Sequence, residues 1–193
     1  LPAPVNAQSF EPQLDLVYQY SILSSKIPVS TGLATVDALL GTPSKDGMLN
    51  SGAWTHEISP VFGDEASEAL DEAEAYFSYY LEQECPSLGI ETQNQQEEIF
   101  LKPGINCLVD AETPLSIITI DNTVQAGPVI VKYSGDLTLS KATSLQLIDP
   151  ITDMPDIVWL IDGVVTIMDG VTTQGTFISI TDIFVHDQAT IIG

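Results

Sequence analysis

The sequence contains no arginine, and its five lysines face 27 acidic residues, which gives a formal net charge of −22 at pH 7. Nucleic-acid binding requires clustered lysine or arginine to neutralise phosphates, and an anionic membrane surface repels a chain of this charge. We therefore exclude nucleic acids as partners. Positively charged partners such as divalent cations remain compatible with the composition.

Long hydrophobic runs are also missing. The apolar stretches, such as residues 157–161, are strand-sized, whereas a membrane-spanning helix needs about 20 predominantly apolar residues. No membrane insertion is therefore expected. The chain begins with Leu1-Pro-Ala-Pro rather than methionine, which is typical of the end left by signal-peptide removal and predicts a secreted, extracellular protein.

Cysteine is scarce, with only Cys85 and Cys107 present. In an oxidising extracellular setting these two residues fit a single disulfide. Two free buried thiols are the alternative interpretation. A metal site built on the two cysteines is not expected, because no histidine lies at ligand spacing from either of them.

Catalytic and cofactor motifs are absent too. Neither His56 nor His186 has a serine or cysteine partner in a nucleophile-elbow setting, and no phosphate-binding glycine loop occurs. We therefore predict a non-enzymatic protein without a cofactor. Asp149, Asp153 and Asp156 share a short loop that suggests a weak Ca²⁺ site, although solvated turn aspartates are the simpler interpretation.

Two regions and one helix organise the chain. Residues 1–13 contain three prolines and no periodicity, so they predict an extended arm, followed by one domain over residues 14–193. Short β-rich pieces separated by turns are expected from Leu14 to Val36, and a loop-rich section from there to Phe62. Apolar residues then recur at spacings of three and four over residues 64–84, which predicts a helix with Asp64 as its N-cap.

From Ile99 onward the sequence is typical of short strands separated by turns, and it repeats. The segment 165–175 aligns with 183–193 at an offset of 18 residues, so that Ile167 stacks on Val185 and Thr172 on Thr190. A repeat of this length with small residues at its corners predicts coils that wind into a mainly β, parallel β-solenoid.

The closing segment from Trp159 to Gly193 resembles the last coils of the β-solenoid ice-binding proteins. The opening strands after Leu14, the helix from Asp64 and the Phe100-Leu-Lys-Pro-Gly-Ile segment are similar to other parts of that family, so the resemblance covers about nine-tenths of the chain. It implies a discontinuous, right-handed solenoid of triangular section with one long helix alongside. It also implies a flat parallel sheet that binds ice through threonine, serine and other small residues.

Three departures from the family pattern lead to the first functional hypothesis. Outward positions carry Met168, Phe184 and His186, the chain ends at Gly193 without a further strand, and the arm is additional. We expect the arm to fill the open edge of a second copy, which would give a structural or adhesive homopolymer. The residues predicted for this self-assembly interface are Val5, Phe10, Met168, Phe184, His186 and Ile192.

The alternative hypothesis is retained ice binding, with an ice surface as the partner. It depends on threonines that persist at outward positions of the closing coils. The residues predicted for this ice-binding face are Thr166, Thr172, Thr176 and Thr190.

Overall fold

A computed structural model of the 193-residue chain describes residues 19–24, 29–30, 33–36, 39–42, 54–56, 61–85, 98–109, 115–123, 127–148 and 154–193. The predicted arm over residues 1–13 lies outside these ranges, and so do Val5 and Phe10. The boundary of the solenoid domain at residue 14 therefore stays a prediction. Within the ranges described, no helix is both long and apolar enough to cross a membrane.

The described elements are one helix and a series of short strands. In chain order they are β1 (Tyr20–Ser24), β2 (Val29–Ser30), β3 (Ala34–Val36), β4 (Leu39–Thr42), β5 (Trp54–His56), β6 (Val61–Phe62), α1 (Asp64–Glu82), β7 (Glu98–Leu101), β8 (Gly104–Val109), β9 (Leu115–Ile120), β10 (Val129–Ser134), β11 (Leu137–Leu147), β12 (Ile157–Ile161), β13 (Val165–Ile167), β14 (Thr172–Gln174), β15 (Thr176–Ser179), β16 (Ile183–Val185) and β17 (Thr190–Ile192). Strands β4 to β6 lie in the section expected to be loop-rich, so that expectation is wrong there.

The strands form three sheets in which every pairing is parallel. Sheet A has the order β6-β4-β1-β15-β12-β10-β8, sheet B the order β2-β16-β13-β11-β9-β7, and sheet C the order β14-β17-β3-β5. Successive strands of the closing coils alternate from A to B to C, which produces a solenoid of three faces. Val165 pairs with Ile183 and Thr172 with Thr190, so the predicted 18-residue repeat is confirmed.

The solenoid is discontinuous, because the N-terminal strands stack on the C-terminal coil. Strand β1 pairs with β15, β2 with β16 and β3 with β17. The other side of that coil pairs with β12, β13 and β14. All three strands of the last coil are therefore paired on both sides, and the open edge predicted near Gly193 is not present in the structure.

The interior of the solenoid is filled by one apolar cluster from all three sheets. Strand residues alternate between inside and outside, so each short strand contributes one or two inward side chains. Trp159 is fully buried, and its indole Nε1 donates to the Gln174 carbonyl at 3.2 Å. Burial of a large apolar side chain contributes about 1.5–3 kcal/mol, so each inward side chain of this kind stabilises the stack of coils.

Helix α1 packs on the outside of sheet A. Its buried residues include Tyr76, Phe77 and Tyr80, which share a second apolar cluster with Val158 and Ile178. Both faces of sheet A are thereby buried, and for this reason every residue of β12 is buried.

The helix begins at Asp64 as the first helical residue, while Gly63 occupies the N-cap position with φ 72° and no side-chain cap. The prediction of Asp64 as N-cap is therefore wrong by one residue. Asp64 and Glu65 still favour the helix, because negative charge in the first turn interacts well with the helix dipole. Leu81 also fits the apolar spacing of three and four residues, but it is 48% exposed.

The C-terminal end of α1 is attached to sheet A at two neighbouring points. Cys85 and Cys107 form a disulfide, which confirms that prediction. Lys132 pairs in register with Cys107, and its Nζ donates to the carbonyls of Leu81 and Gln83 at 3.3 and 2.8 Å. Burial lowers the pKa of Lys132. The helix is thus fixed over the outer face of sheet A.

Candidate functional site

A row of threonines crosses sheet C. Thr172 of β14 pairs with Thr190 of β17, Thr190 with Thr35 of β3, and Thr35 with Thr55 of β5. Neighbouring strands in a sheet lie about 4.8 Å apart, so the four positions repeat at that spacing across the whole sheet. We call these four residues the threonine row.

Backbone hydrogen bonds hold the row in register. The Thr190 N–H donates to the Val171 carbonyl at 2.7 Å, and the Thr35 N–H donates to the Ala189 carbonyl at 2.8 Å. Val171 and Ala189 point into the core and are 2% and 0% exposed. Because Val171, Ala189 and Ala34 are buried, the side chains of Thr172, Thr190 and Thr35, which follow them, are on the outer face.

The side chains in this row are well suited to a rigid array. Thr172 is exposed, and Thr190 and Thr35 are half-buried. Threonine is branched at Cβ, which restricts χ1 and keeps its methyl and hydroxyl groups in few orientations. Thr55 belongs to the row by backbone register. Thr172, Thr190 and Thr35 therefore present hydroxyl and methyl groups at regular spacing.

The outer face of sheet C is also uncharged where the structure describes it. The outward residues of β14, β17 and β3 are Thr172, Gln174, Thr190, Ile192 and Thr35. None of them ionises, although the chain carries a net charge of −22. No acidic residue therefore lies among the described outward residues of these three strands, and no charged group there needs to retain its hydration.

Sheet B presents a less regular row. Thr138 pairs with Thr166, Thr166 with Phe184, and Phe184 with Val29. All four side chains are half-buried. The row contains two threonines followed by an aromatic and an aliphatic side chain, so it lacks the repeated hydroxyl pattern of sheet C.

The structure brings together two of the four threonines predicted for an ice-binding face. Thr172 and Thr190 are adjacent on sheet C, whereas Thr166 lies on sheet B. Thr176 lies on sheet A, is 4% exposed, and donates its Oγ1 hydrogen to the Tyr20 carbonyl at 2.9 Å. The prediction that Thr176 lies on an outer face is wrong, because its side chain is buried and its hydroxyl donates to a backbone carbonyl of the neighbouring strand β1.

Sequence reasoning missed Thr35 and Thr55. Each is the central residue of a three-residue strand, in Ala34-Thr-Val and Trp54-Thr-His. The alternating pattern in these strands is too short to be distinctive, and strand β17, which pairs with β3, lies at the other end of the chain. The similar Ala-Thr-Val and Ala-Thr-Ile patterns of residues 34–36 and 189–191 are the one signal that could have indicated the pairing.

Of the residues predicted for self-assembly, the four that the structure describes are distributed over two sheets and the corner between them. Phe184 lies on sheet B, and Ile192, 36% exposed, lies on sheet C in register with Gln174. Met168 and His186 follow β13 and β16 at the corner between these sheets, where Met168 is 39% exposed. The Nδ1 atom of His186 lies 3.9 Å from Asp169 Oδ1.

The predicted Ca²⁺ loop can be described only in part. Asp156 is exposed and its backbone carbonyl accepts the Val129 N–H at 2.8 Å, while Asp149 and Asp153 lie outside the described residues. In the part of the chain that the structure describes, no three histidine, cysteine or acidic residues are grouped so that they could hold a metal ion. Calcium binding at this loop remains an untested prediction.

Similar proteins occur among solved structures. No protein-family model matches the chain, and no curated protein sequence matches it. The antifreeze ice-binding protein LeIBP from Arctic yeast superposes with a TM-score of 0.62 at 14% identity, covering 93% of each chain. The ice-binding protein 1 domain from Shewanella frigidimarina superposes with a TM-score of 0.62 at 17% identity, covering 95% of this chain and 98% of its own.

The chain has the fold of the ice-binding β-solenoids. An ice-binding protein from an Antarctic bacterium of the Flavobacteriaceae superposes with a TM-score of 0.64 at 16% identity. The match covers 95% of this chain and 49% of that longer chain. The resemblance noted from the sequence is thus confirmed at the level of the ice-binding fold. At sequence identities of 14–17%, the similarity establishes a shared fold and no more than that.

These structures correct the leading functional hypothesis. The proteins that share this ice-binding fold are described as ice-binding or antifreeze proteins, not as fibre-forming adhesins. In addition, the last coil is paired on both sides by β1 to β3 and β12 to β14. The fibre-forming hypothesis is therefore wrong, and the alternative of ice binding is favoured.

Proposed function

We propose that this protein binds ice through the outer face of sheet C. One observation carries the proposal: Thr172, Thr190, Thr35 and Thr55 lie in register across four parallel strands. The likeness of the fold to ice-binding proteins supports it.

The physical reason is the match between a rigid array and a rigid crystal. An ice surface offers water positions at fixed, repeated intervals. Side chains that are already held at regular spacing lose little conformational entropy when they contact such a surface. The hydroxyl groups of the threonine row provide hydrogen bonds, and the methyl groups provide apolar contact between those bonds.

The proposal makes the protein a binding protein rather than an enzyme, and it places the protein outside the cell. The fold is shared with ice-binding proteins, and ice binding needs a complementary surface but no catalytic group. The Cys85–Cys107 disulfide supports an extracellular location, because disulfides persist in oxidising compartments.

The test is replacement of Thr190 by tyrosine, which inserts a bulky ring in the row between Thr172 and Thr35. We expect loss of ice-crystal shaping and of thermal hysteresis, because the protruding ring keeps neighbouring threonines away from the crystal. The matched control is Thr166→Tyr, which places the same ring on sheet B in an adjacent coil. We expect this control to retain activity.

Either of two results would contradict the proposal. One is an unmodified protein that neither shapes ice nor shows thermal hysteresis. The other is equal loss in Thr190→Tyr and Thr166→Tyr, which would mean that the ice contact is not specific to sheet C. Circular dichroism of both variants shows whether the solenoid has remained folded.

A further inference from the structure

The threonine row is assembled from two distant parts of the chain. Thr172 and Thr190 come from the closing coils, whereas Thr35 comes from an N-terminal strand. The two parts meet where β3 pairs with β17. We call this junction, residues 33–35 against residues 187–190, the seam.

A side chain bridges the seam next to the row. Asp187 Oδ1 accepts a hydrogen bond from the backbone N–H of Leu33 at 2.7 Å, across a sequence separation of 154 residues. The carbonyl of the same Leu33 accepts the Gln188 N–H at 2.6 Å. Leu33 is therefore held at both of its backbone polar groups, two residues before Thr35.

The conformation of Gln188 depends on this junction. Gln188 has φ 57°, and among the described residues it is the one non-glycine residue with positive φ. A residue with a Cβ atom is disfavoured in this region unless its surroundings hold it there. Its N–H donates to Leu33 and its side-chain Nε2 donates to Asp187 Oδ2 at 3.2 Å, so both contacts support the turn.

The preceding coil provides a natural comparison. Asp169 and Gly170 occupy the positions equivalent to Asp187 and Gln188, and Gly170 has φ 67°. The Gly170 N–H donates to the backbone carbonyl of Asp187. The Asp169 side chain is instead 75% exposed and lies near His186. The carboxylate bridge to a backbone N–H is thus present at the seam and not at Asp169.

Carboxylates elsewhere in the solenoid connect coils in the same way. Asp136 Oδ1 accepts the Val164 N–H at 2.8 Å, and Asp162 Oδ1 accepts the Gly135 N–H. These contacts join strands that are close in sequence. Asp187 uses the same interaction to join the two ends of the chain, where the repeat itself cannot specify the register.

We propose that Asp187 is a positioning residue that sets the register of the N-terminal half of the threonine row against the C-terminal half. The proposal rests on sheet C being the ice-binding face. A slip of one residue at the seam would place Ala34 or Val36 on the outer face instead of Thr35 and would divide the row. Asp187 acts through its hydrogen bond to the backbone beside the row, and it does not itself contact ice.

The test is Asp187→Ala, with two readouts. Amide hydrogen exchange of Leu33, Thr35 and Gln188 reports the seam directly, and thermal hysteresis reports the face. A hydrogen bond to a charged group and the turn it supports are lost, so we expect about tenfold faster exchange at these amides. Amides of Trp159 and Phe177 in the core should exchange as in the unmodified protein. We also expect at least half of the thermal hysteresis to be lost.

Three further variants separate positioning from charge and from general stability. Asp187→Asn keeps an oxygen acceptor and should retain seam protection and most of the activity. Asp187→Glu keeps the charge but displaces the acceptor, so it should behave like Asp187→Ala and serves in its place if that variant does not fold. Asp169→Ala removes the same charge at the equivalent position and should change neither readout.

Each remaining result overturns the inference. Seam amides that stay protected in both Asp187→Ala and Asp187→Glu show that the carboxylate does not set the register. Equal acceleration of seam and core amides shows a general effect on stability, and so does a matching effect in Asp169→Ala. Faster seam exchange with unchanged thermal hysteresis also overturns it. An unmodified protein without ice activity refutes the proposed face, whereas the exchange data still report on the seam.

Discussion

Trp159 and Phe177 are stacked inside the solenoid, with ring centroids 5.7 Å apart and ring planes parallel to within 1°. The two residues are paired in register on strands β12 and β15. Their stacking joins one coil to the next at the centre of the core, where both side chains are fully buried.

Removal of the Phe177 ring should therefore destabilise the whole solenoid. We expect Phe177→Ala to lower the free energy of unfolding by about 3–5 kcal/mol, because it deletes a buried ring and leaves a cavity. Urea denaturation measures the change. The matched control is Phe100→Ala, since Phe100 is 46% exposed and should cost about 1 kcal/mol or less. Equal losses in the two variants would contradict a core centred on this pair.

Thr35 tests the part of the row that comes from the N-terminal strands. We expect Thr35→Tyr to abolish ice-crystal shaping, because Thr35 pairs with Thr190 in the middle of sheet C. Thr138→Tyr on sheet B is the matched control, and it should leave crystal shape and thermal hysteresis unchanged. If Thr35→Tyr retains full activity, the ice contact does not extend across the seam.

Gly175 occupies a corner that a side chain cannot enter. It has φ 112°, and a Cβ atom there would lie 2.5 Å from the Ile157 carbonyl oxygen. We expect Gly175→Ala to cost about 2–5 kcal/mol, from backbone strain and overpacking together. Gly104→Ala isolates the first contribution, because Gly104 has φ 99° but no atom within 4 Å of that position. It should cost about 1–2 kcal/mol in the same thermal or urea measurement.

The Cys85–Cys107 disulfide closes a loop with a sequence separation of 22 residues and attaches the end of α1 to sheet A. Its replacement by two serines should lower the free energy of unfolding by about 2–4 kcal/mol, mainly through the greater entropy of the unfolded chain. The ice-binding face should remain active at low temperature, because sheet C is a different face of the solenoid. Loss of ice shaping in a variant that is still folded would contradict this separation. Urea denaturation with and without a reducing agent gives the stability change.

The helix and the repeat can be predicted from the amino-acid sequence alone. Apolar residues such as Ala69, Ala73 and Phe77 recur with helical spacing, and this periodicity is visible without the tertiary structure. The stacking of Thr172 on Thr190 is predictable because a repeat of 18 residues places equivalent residues of adjacent coils side by side. Both inferences use relationships between residues that are close in sequence.

The face on which each threonine lies required the tertiary structure. Thr176 and Thr172 are both threonines at the start of a short strand, yet one is buried in sheet A and the other exposed on sheet C. Period-two alternation shows which side chains of a strand point the same way, but it does not identify the sheet that the strand joins. That assignment depends on the corners between strands.

The sequence by itself determined the repeat, the helix and the two cysteines that could meet, because short-range periodicity and composition encode them. Only the tertiary structure decided that β3 lies beside β17 and that Thr35 continues the row from Thr190. The reason is physical: the N-terminal strands carry no repeat in common with the closing coils long enough to specify a register. Pairing across such a separation is selected by the buried area and the hydrogen bonds that form once both ends are folded.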